Sequence, residues 1–160
     1  MRLLLASAAL AASFVTPSSA GERAYFDAIE GQWKGAGKIV AGKYKDTRFT
    51  CNFKGSQPVR VGMKIEGTCR VGLFSQRMSA VITKAKRGYT GQFLDGAKGK
   101  GLDVVSGKVN ASKLVVGIKR KQLDGTMVAS MKGRDRMHIT ISVKANARLV
   151  PVIGLTLNRS

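Results

Sequence analysis

The chain has 160 residues, with 28 Lys and Arg against nine Asp and Glu and a single His, so its formal net charge is +19. Two cysteines cannot complete a zinc site by themselves, and the lone histidine and the unpaired acids form no recognisable hydrolytic or acid–base motif. The composition therefore argues against a metal-dependent or hydrolytic enzyme. The strong positive charge favours an anionic partner.

The first twenty residues have the pattern of a secretory signal peptide. Arg2 supplies a positive start, an apolar run extends from Leu3 to Val15, and Pro17 and Ala20 precede the expected cleavage after Ala20. A membrane anchor is the alternative, but a run of thirteen residues is shorter than the roughly 20 that span a bilayer. We therefore expect a leader at 1–20 and one periplasmic or secreted domain at 21–160, with no transmembrane segment.

From Trp33 onward the sequence alternates short segments rich in Val, Ile, Thr and Phe with clusters of turn residues. This spacing is typical of an all-β protein, and only Glu22–Glu30 has a helical pattern. The predicted strands are Gln32–Ala41, Thr47–Lys54, Met63–Val71, Gln76–Thr83, Tyr89–Leu94, Leu102–Val109, Lys113–Arg120, Thr126–Lys132, Arg136–Lys144 and Arg148–Asn158.

The connections between these strands are short, which permits antiparallel neighbours but not the helical crossovers that parallel strands need. Ten consecutive antiparallel strands either leave two exposed edges or close on themselves. We predict a closed up-and-down β-barrel of about ten strands with a short N-terminal helix. An open sandwich is the alternative.

The two cysteines, Cys51 and Cys69, are predicted to form a disulfide. Folding the second and third strands into a hairpin with these residues opposite each other also aligns the apolar positions of both strands on one face. Closing a loop of this size stabilises the fold by roughly 3 kcal/mol in the chain-entropy model. Two buried free thiols are the alternative.

The inward faces of the predicted strands carry all five methionines that follow the leader. Methionine is flexible and lines permissive apolar pockets, although it also fills gaps in a solid core. If the barrel is hollow, we expect its lining to hold a small apolar ligand. The candidate lining residues are Phe49, Phe53, Met63, Ile65, Met78, Met127, Met131 and Met137.

Other polar features give weaker signals. His138 alternates outward with Thr140 and Ser142, so it is expected at the surface. The segment 95–101, DGAKGKG, lacks the spacing of a phosphate-binding loop and is not followed by a helical pattern, so we interpret it as a flexible loop. Neither feature predicts a catalytic residue.

Basic residues concentrate near the predicted turns, and in a meander these turns divide between the two ends of the barrel. We expect diffuse attraction to an anionic cell wall or membrane, although the charge also serves solubility. Specific nucleic-acid recognition is not expected, because no aromatic residues lie among these cations. The candidate anionic-surface contacts are Lys84, Lys86, Arg87, Lys119, Arg120 and Lys121.

The first strand has the pattern Gly31-x-Trp33-x-Gly35-x-Gly37, and the last strand contains PVIGLTLNR at 151–159. The first segment resembles the opening strand of lipocalin-like (calycin) barrels and, more closely, that of nitrobindin-type proteins, and the last segment resembles the closing strand of nitrobindins. The nitrobindin resemblance implies a haem-ligating histidine after the proline of the last strand, where this chain has Val152. The chain also resembles uncharacterised exported alphaproteobacterial proteins, which implies a periplasmic location.

The calycin resemblance also implies how the barrel closes. In those barrels the tryptophan of the first strand packs against an arginine from a late strand, and Arg159 is the candidate partner of Trp33. A cation over an indole face is worth roughly 0.5 to 2 kcal/mol.

Three functional hypotheses follow. The first is a lipocalin-like protein that binds a small apolar ligand without enzymatic activity or a cofactor. The second is a basic structural protein that associates with an anionic wall or membrane. The third is a nitrobindin-like haem protein, which Val152 disfavours. The sequence does not specify an oligomeric state.

Overall fold

A computed structural model describes residues 18–58, 61–94 and 101–160 of the protein. Within these ranges the chain forms one helix and ten antiparallel strands, and no helix is long and apolar enough to cross a bilayer. The elements are α1 (Ser18–Ile29), β1 (Gly31–Ile39), β2 (Arg48–Ser56), β3 (Gly62–Val71), β4 (Phe74–Lys84), β5 (Tyr89–Leu94), β6 (Leu102–Val109), β7 (Lys113–Arg120), β8 (Leu123–Lys132), β9 (Arg136–Ala145) and β10 (Arg148–Arg159).

The ten strands close into a barrel in which each strand pairs with its sequence neighbours and β1 also pairs with β10. The closing ladder extends from Trp33 opposite Arg159 to Ile39 opposite Ile153. The prediction of a closed up-and-down barrel is therefore confirmed, and the open sandwich is wrong. The predicted strand bounds agree with the observed ones to within three residues.

The helix begins at Ser18, four residues earlier than predicted, so the expected cleavage position after Ala20 falls inside α1. Residues 1–17, which contain most of the proposed leader, lie outside the described residues. The signal peptide stays a prediction.

The two ends of the barrel differ. We call the end at which the odd-numbered strands begin the capped end, because α1 packs across it, and we call the opposite end the open end. Tyr25, Phe26 and Ile29 on α1 are fully buried at the capped end. The Tyr25 hydroxyl donates a hydrogen bond to the carbonyl oxygen of Ala129 on β8 at 3.1 Å. An amphipathic helix thus closes one end of the cylinder.

The core is solid next to this helix. The Tyr25 and Phe26 rings meet edge to face with centroids 5.8 Å apart, and the Phe26 ring also contacts Tyr89 on β5. Inward side chains from β1, β4, β7 and β10 complete the packing, among them the fully buried Trp33, Ile82, Leu114, Val116 and Leu157. The capped half of the barrel interior is therefore filled with protein.

The β2–β3 hairpin has the register that the cysteine positions predict. Cys51 pairs with Cys69 and Phe53 pairs with Gly67 across the two strands. The two cysteine sulfurs are bonded, and the Cα atoms are 4.1 Å apart. The alternative of two free thiols is therefore wrong.

Candidate ligand-binding cavity

A cavity of about 140 Å³ lies between the filled core and the open end of the barrel. Its walls are side chains of seven strands, β2 to β5 and β8 to β10, together with the disulfide of the β2–β3 hairpin. The lining residues are Phe49, Cys51, Phe53, Met63, Ile65, Cys69, Met78, Ser79, Ala80, Phe93, Met127, Ala129, Met137, Ile139, Ile141, Ile153 and Leu155.

Seven of the eight candidate lining residues meet at this cavity: Phe49, Phe53, Met63, Ile65, Met78, Met127 and Met137. The eighth, Met131, is buried but does not line it. Met131 lies near the capped end of β8, where its backbone N–H bonds the carbonyl oxygen of Ser112. Period two assigned Met131 to the inward face but not to a height along the barrel axis.

The sequence analysis missed other parts of the lining. Ala80, Ala129 and Leu155 alternate with outward residues on β4, β8 and β10, so period two assigns them to the inward face, but it does not show which inward residues border a hollow. Small residues on two of the strands leave space that larger side chains would fill. The hollow therefore depends on alanines as much as on methionines.

The cavity wall is almost entirely apolar, and Ser79 is the one lining residue in the described chain with a polar side chain. An apolar cavity of this kind stays dry, because water needs several polar partners to be stable inside a protein. Such a wall selects ligands by hydrophobicity and shape. It offers little to orient a charged or strongly polar molecule.

The cavity opens toward the open end. Phe49, Phe93, Ile141 and Ile153 face the barrel interior, yet each is only partly buried. An inward side chain in a closed barrel reaches solvent through an end, and α1 covers the other end. No helix of the described chain covers the open end, so these four residues surround an entrance for a ligand.

The volume limits the size of the ligand. Drug-sized ligands generally occupy pockets of about 300 to 1,000 Å³, whereas an engineered apolar cavity of about 150 Å³ in another protein binds benzene. The 140 Å³ observed here suits one aromatic ring or the end of a hydrocarbon chain. A larger molecule would fit only if part of it remained in the entrance.

No known family model matches this sequence, and no curated protein is significantly similar to it. The closed antiparallel barrel is consistent with a calycin-like fold. The functional argument consequently depends on the geometry of this chain.

Haem fits this site poorly. Val152, which occupies the position of the nitrobindin histidine, lies at the register shift between Pro151 and Ile153, and it is not a lining residue. The single histidine, His138, places Nδ1 3.0 Å from the Thr156 hydroxyl oxygen and is also absent from the lining. A porphyrin is several times larger than a benzene ring, so the cavity suits a small apolar molecule better than haem.

Trp33 and Arg159 form a closing contact at the capped end, where the calycin resemblance places one. The Arg159 guanidinium carbon lies 4.4 Å from the centre of the Trp33 ring. The same guanidinium donates hydrogen bonds to the carbonyl oxygens of Glu30 and Ala28, the second at 2.7 Å. The Trp33 indole N–H bonds the Ile29 carbonyl oxygen at 2.8 Å. These contacts attach α1 to the barrel and lie away from the cavity.

A buried carboxylate at the capped end was not predicted. Glu22 on α1 is almost fully buried and forms a salt bridge with Lys84 at the end of β4. Burial raises the pKa of the nearby Tyr89 phenol, and the Glu22 carboxylate raises it further. Lys84, a candidate contact for an anionic surface, is thus engaged within the protein.

The other candidate surface cations do not form one patch. Lys86 and Arg87 are exposed in the turn after β4, at the capped end. Lys119, Arg120 and Lys121 lie around the β7–β8 turn at the open end, and the Lys119 amine is 3.7 Å from the Asp124 carboxylate. The division between two ends that the meander predicts is therefore observed. The basic loop residues Lys98 and Lys100 lie outside the described residues, as do Asp95 and most of the glycine-rich segment.

Proposed function

We propose that this protein binds a small apolar molecule, of the size of one aromatic ring or the end of a hydrocarbon chain, in the cavity of its barrel. One observation carries the proposal: an apolar hollow lies directly behind an entrance at the end of the barrel opposite α1, next to a filled core. The role is that of a binding protein rather than an enzyme.

The nature of the lining supports this role. Phenylalanine rings and methionine thioethers contact aromatic and aliphatic groups equally well, and methionine adapts its shape to the ligand. Met63, Met78, Met127 and Met137 come from four different strands and surround the hollow. A wall of this type accommodates related apolar ligands with little change of the backbone.

We further propose that the protein acts outside the cytoplasm, in the periplasm or after secretion. The leader pattern in the sequence supports this location, and so does the Cys51–Cys69 disulfide, because such bonds persist in oxidising compartments. N-terminal sequencing of the protein recovered from outside the cytoplasm should then begin at Gly21. Recovery with an intact Met1 would contradict this part of the proposal.

Benzene is a suitable probe for the cavity. In protein labelled with ¹³C at the methionine methyl groups, benzene should shift the signals of Met63, Met78 and Met127 in a saturable manner. Ala80→Leu places a larger side chain in the hollow, so it should weaken benzene binding on the order of tenfold or more. Val81→Leu, next to it on the outer face, should leave binding unchanged.

A variant that enlarges the cavity distinguishes loss of space from misfolding, which could also explain weak binding by Ala80→Leu. Met78→Ala enlarges the cavity, so it should admit a larger ring system, such as naphthalene, that the original protein binds weakly. Native mass spectrometry of gently purified protein should also detect a bound apolar molecule. Methionine signals that do not respond to benzene in either the original protein or Met78→Ala would contradict the proposal.

A further inference from the structure

The exposed apolar side chains of the protein are concentrated at the open end. Among the described residues, ten large hydrophobic side chains are exposed, and eight of these lie at the ends of strands or in turns around the cavity entrance. These eight residues, which we call the apolar rim, are Val40, Tyr44, Val71, Leu73, Phe74, Leu123, Leu149 and Val150.

The β3–β4 turn projects furthest into solvent. Leu73 is 99% exposed and Phe74 is 84% exposed, and Gly72 before them adopts a φ of 54° that makes the turn tight. Leu149 on β10 is 56% exposed at the same end, where the β1–β2 hairpin separates it from the β3–β4 turn. Exposed apolar groups gathered in one region of a protein generally mark a site of association.

The apolar rim lies among positive charges. Segments 40–48, 70–77, 119–125 and 143–151 contain ten basic and two acidic residues. One of the acids, Asp46, is already paired with Lys38 at 2.6 Å, and the other, Asp124, lies 3.7 Å from Lys119. The basic residues are Lys43, Lys45, Arg48, Arg70, Arg77, Lys119, Arg120, Lys121, Lys144 and Arg148.

The capped end is basic as well, but it lacks the apolar component. Lys86, Arg87, Lys132 and Arg134 are exposed there, and no large hydrophobic residue of the described chain is exposed beside them. Charge alone would therefore attract an anionic surface to either end. Among the described residues, only those of the open end combine charge with exposed apolar side chains that gain free energy by leaving water.

We propose that the open end docks on the surface of a lipid bilayer that contains anionic phospholipids. Leu73, Phe74 and Leu149 enter the boundary between headgroups and acyl chains, and the surrounding cations contact the lipid phosphates. Peripheral proteins bind membranes by this combination of buried apolar area and electrostatic attraction. The docked orientation turns the cavity entrance toward the hydrocarbon, so that an apolar ligand passes between membrane and barrel without crossing water.

A second copy of the chain is a less suitable partner for this surface. Pairing two open ends would bring the cations of both copies together, and the repulsion would oppose association at low salt. Anionic phospholipid supplies the opposite charge and an apolar layer at the same time. Charge complementarity thus favours the bilayer.

Vesicle sedimentation tests the proposal. At 50 mM NaCl the protein should bind vesicles of phosphatidylcholine with 30% phosphatidylglycerol, and binding should fall steeply as salt is raised or when the phosphatidylglycerol is left out. Leu73→Ser with Phe74→Ser should weaken binding on the order of tenfold. Lys144→Gln with Arg148→Gln should weaken it by a similar factor.

Matched variants away from the rim serve as controls. Val81→Ser with Val105→Ser removes the two exposed hydrophobic residues of the outer wall, and Lys86→Gln with Arg87→Gln removes two exposed cations of the capped end. Both controls should bind within about twofold of the original protein, because neither set contacts the docked bilayer. All the substituted side chains are exposed, so thermal unfolding of the variants should match that of the original protein.

Three results would overturn the proposal. Equal binding to neutral and anionic vesicles would remove the electrostatic part, and equal losses in the rim and control variants would show that no particular end docks. A dimer in sedimentation equilibrium that Leu73→Ser with Phe74→Ser dissociates would make the rim a contact between copies. No cavity ligand is present in the vesicle assay. A failure to bind vesicles would therefore leave the benzene result intact, and a failure to bind benzene would leave the vesicle result intact.

Discussion

Arg159 shows how one side chain connects three parts of the molecule. Its guanidinium lies over the Trp33 ring of β1 and bonds the carbonyl oxygens of Ala28 and Glu30 at the end of α1. Its Nε also bonds the Arg134 carbonyl oxygen in the β8–β9 turn at 3.1 Å. A planar group with five N–H donors makes such contacts simultaneously, whereas the ammonium of lysine is a compact point charge on a flexible stem.

Arg159→Lys should therefore destabilise the protein although it preserves the charge. We expect the free energy of unfolding, measured by urea denaturation, to fall by about 1 to 3 kcal/mol as carbonyl contacts and the stacked geometry are lost. Arg136→Lys is the matched control. Arg136 on β9 donates an exposed hydrogen bond to the side chain of Asn158 on β10, so its replacement should have a small effect. Equal effects of the two substitutions would show that Arg159 has no special role in closing the barrel.

For individual residues, the sequence predicted whether a side chain faces inward or outward better than it predicted the contacts that the side chain makes. Alternation placed Met127 and Met131 on the same inward face, yet only Met127 lines the hollow. Lys84 was expected to be available to an external anion, but Glu22 of α1 forms a salt bridge with it. The first outcome depends on the height of each residue along the barrel axis and the second on a residue 62 positions away, and local periodicity contains neither.

The β2–β3 hairpin shows how much a single element can specify. Its register follows from two facts in the sequence, the alternation of both strands and the positions of Cys51 and Cys69, and these agree with each other. The disulfide joins residues 18 positions apart and forms part of the cavity wall. It therefore affects both the stability of the hairpin and the shape of the hollow.

Replacing both cysteines by alanine should lower the free energy of unfolding by about 2 to 4 kcal/mol, because the unfolded chain regains the entropy of an open loop. Denaturation in the presence of a reducing agent provides the control. The original protein should then approach the stability of the double variant, and the variant itself should not respond to the reductant. A reductant effect on the variant would show that the loss has another origin.

The helix shows the limit of prediction for a single element. A helical pattern was visible over Glu22–Glu30, but the element begins at Ser18 and its function as a plug was not predicted. Tyr25, Phe26 and Ile29 give α1 an apolar face, but such a face is common to amphipathic helices and does not show where the helix packs. The helix closes the capped end because it packs inside a ring of strand ends. All ten strands form this ring together, so it exists only in the closed barrel.

Closure is a property of the whole molecule and depends on β10. This strand pairs with both β1 and β9, so without it two neighbouring strands would expose unpaired N–H and C=O groups along their length. Exposed edges of this kind destabilise a sheet and promote association. The stability of the barrel is therefore expected to be cooperative around the full circle.

A chain that ends at Asn146 should consequently show no cooperative thermal transition. A synthetic peptide of residues 147–160 added in excess should restore the transition by supplying the missing strand. The same peptide with Leu157→Asp is the control, because Leu157 is fully buried in the core and a carboxylate there would be unpaired. A cooperative transition in the shortened chain alone would show that the remaining nine strands fold without closure.

The sequence by itself determined the strand order, the inward and outward faces and the disulfide, because each of these depends on neighbours within a hairpin. The tertiary structure decided the volume of the hollow, the end at which it opens and the grouping of Leu73, Phe74 and Leu149 around that opening. Those features arise from residues far apart in the chain, as in the contact between Tyr25 and Ala129, 104 positions apart. The space left inside a barrel depends on the combined radial packing of all its strands, and no local pattern encodes that sum.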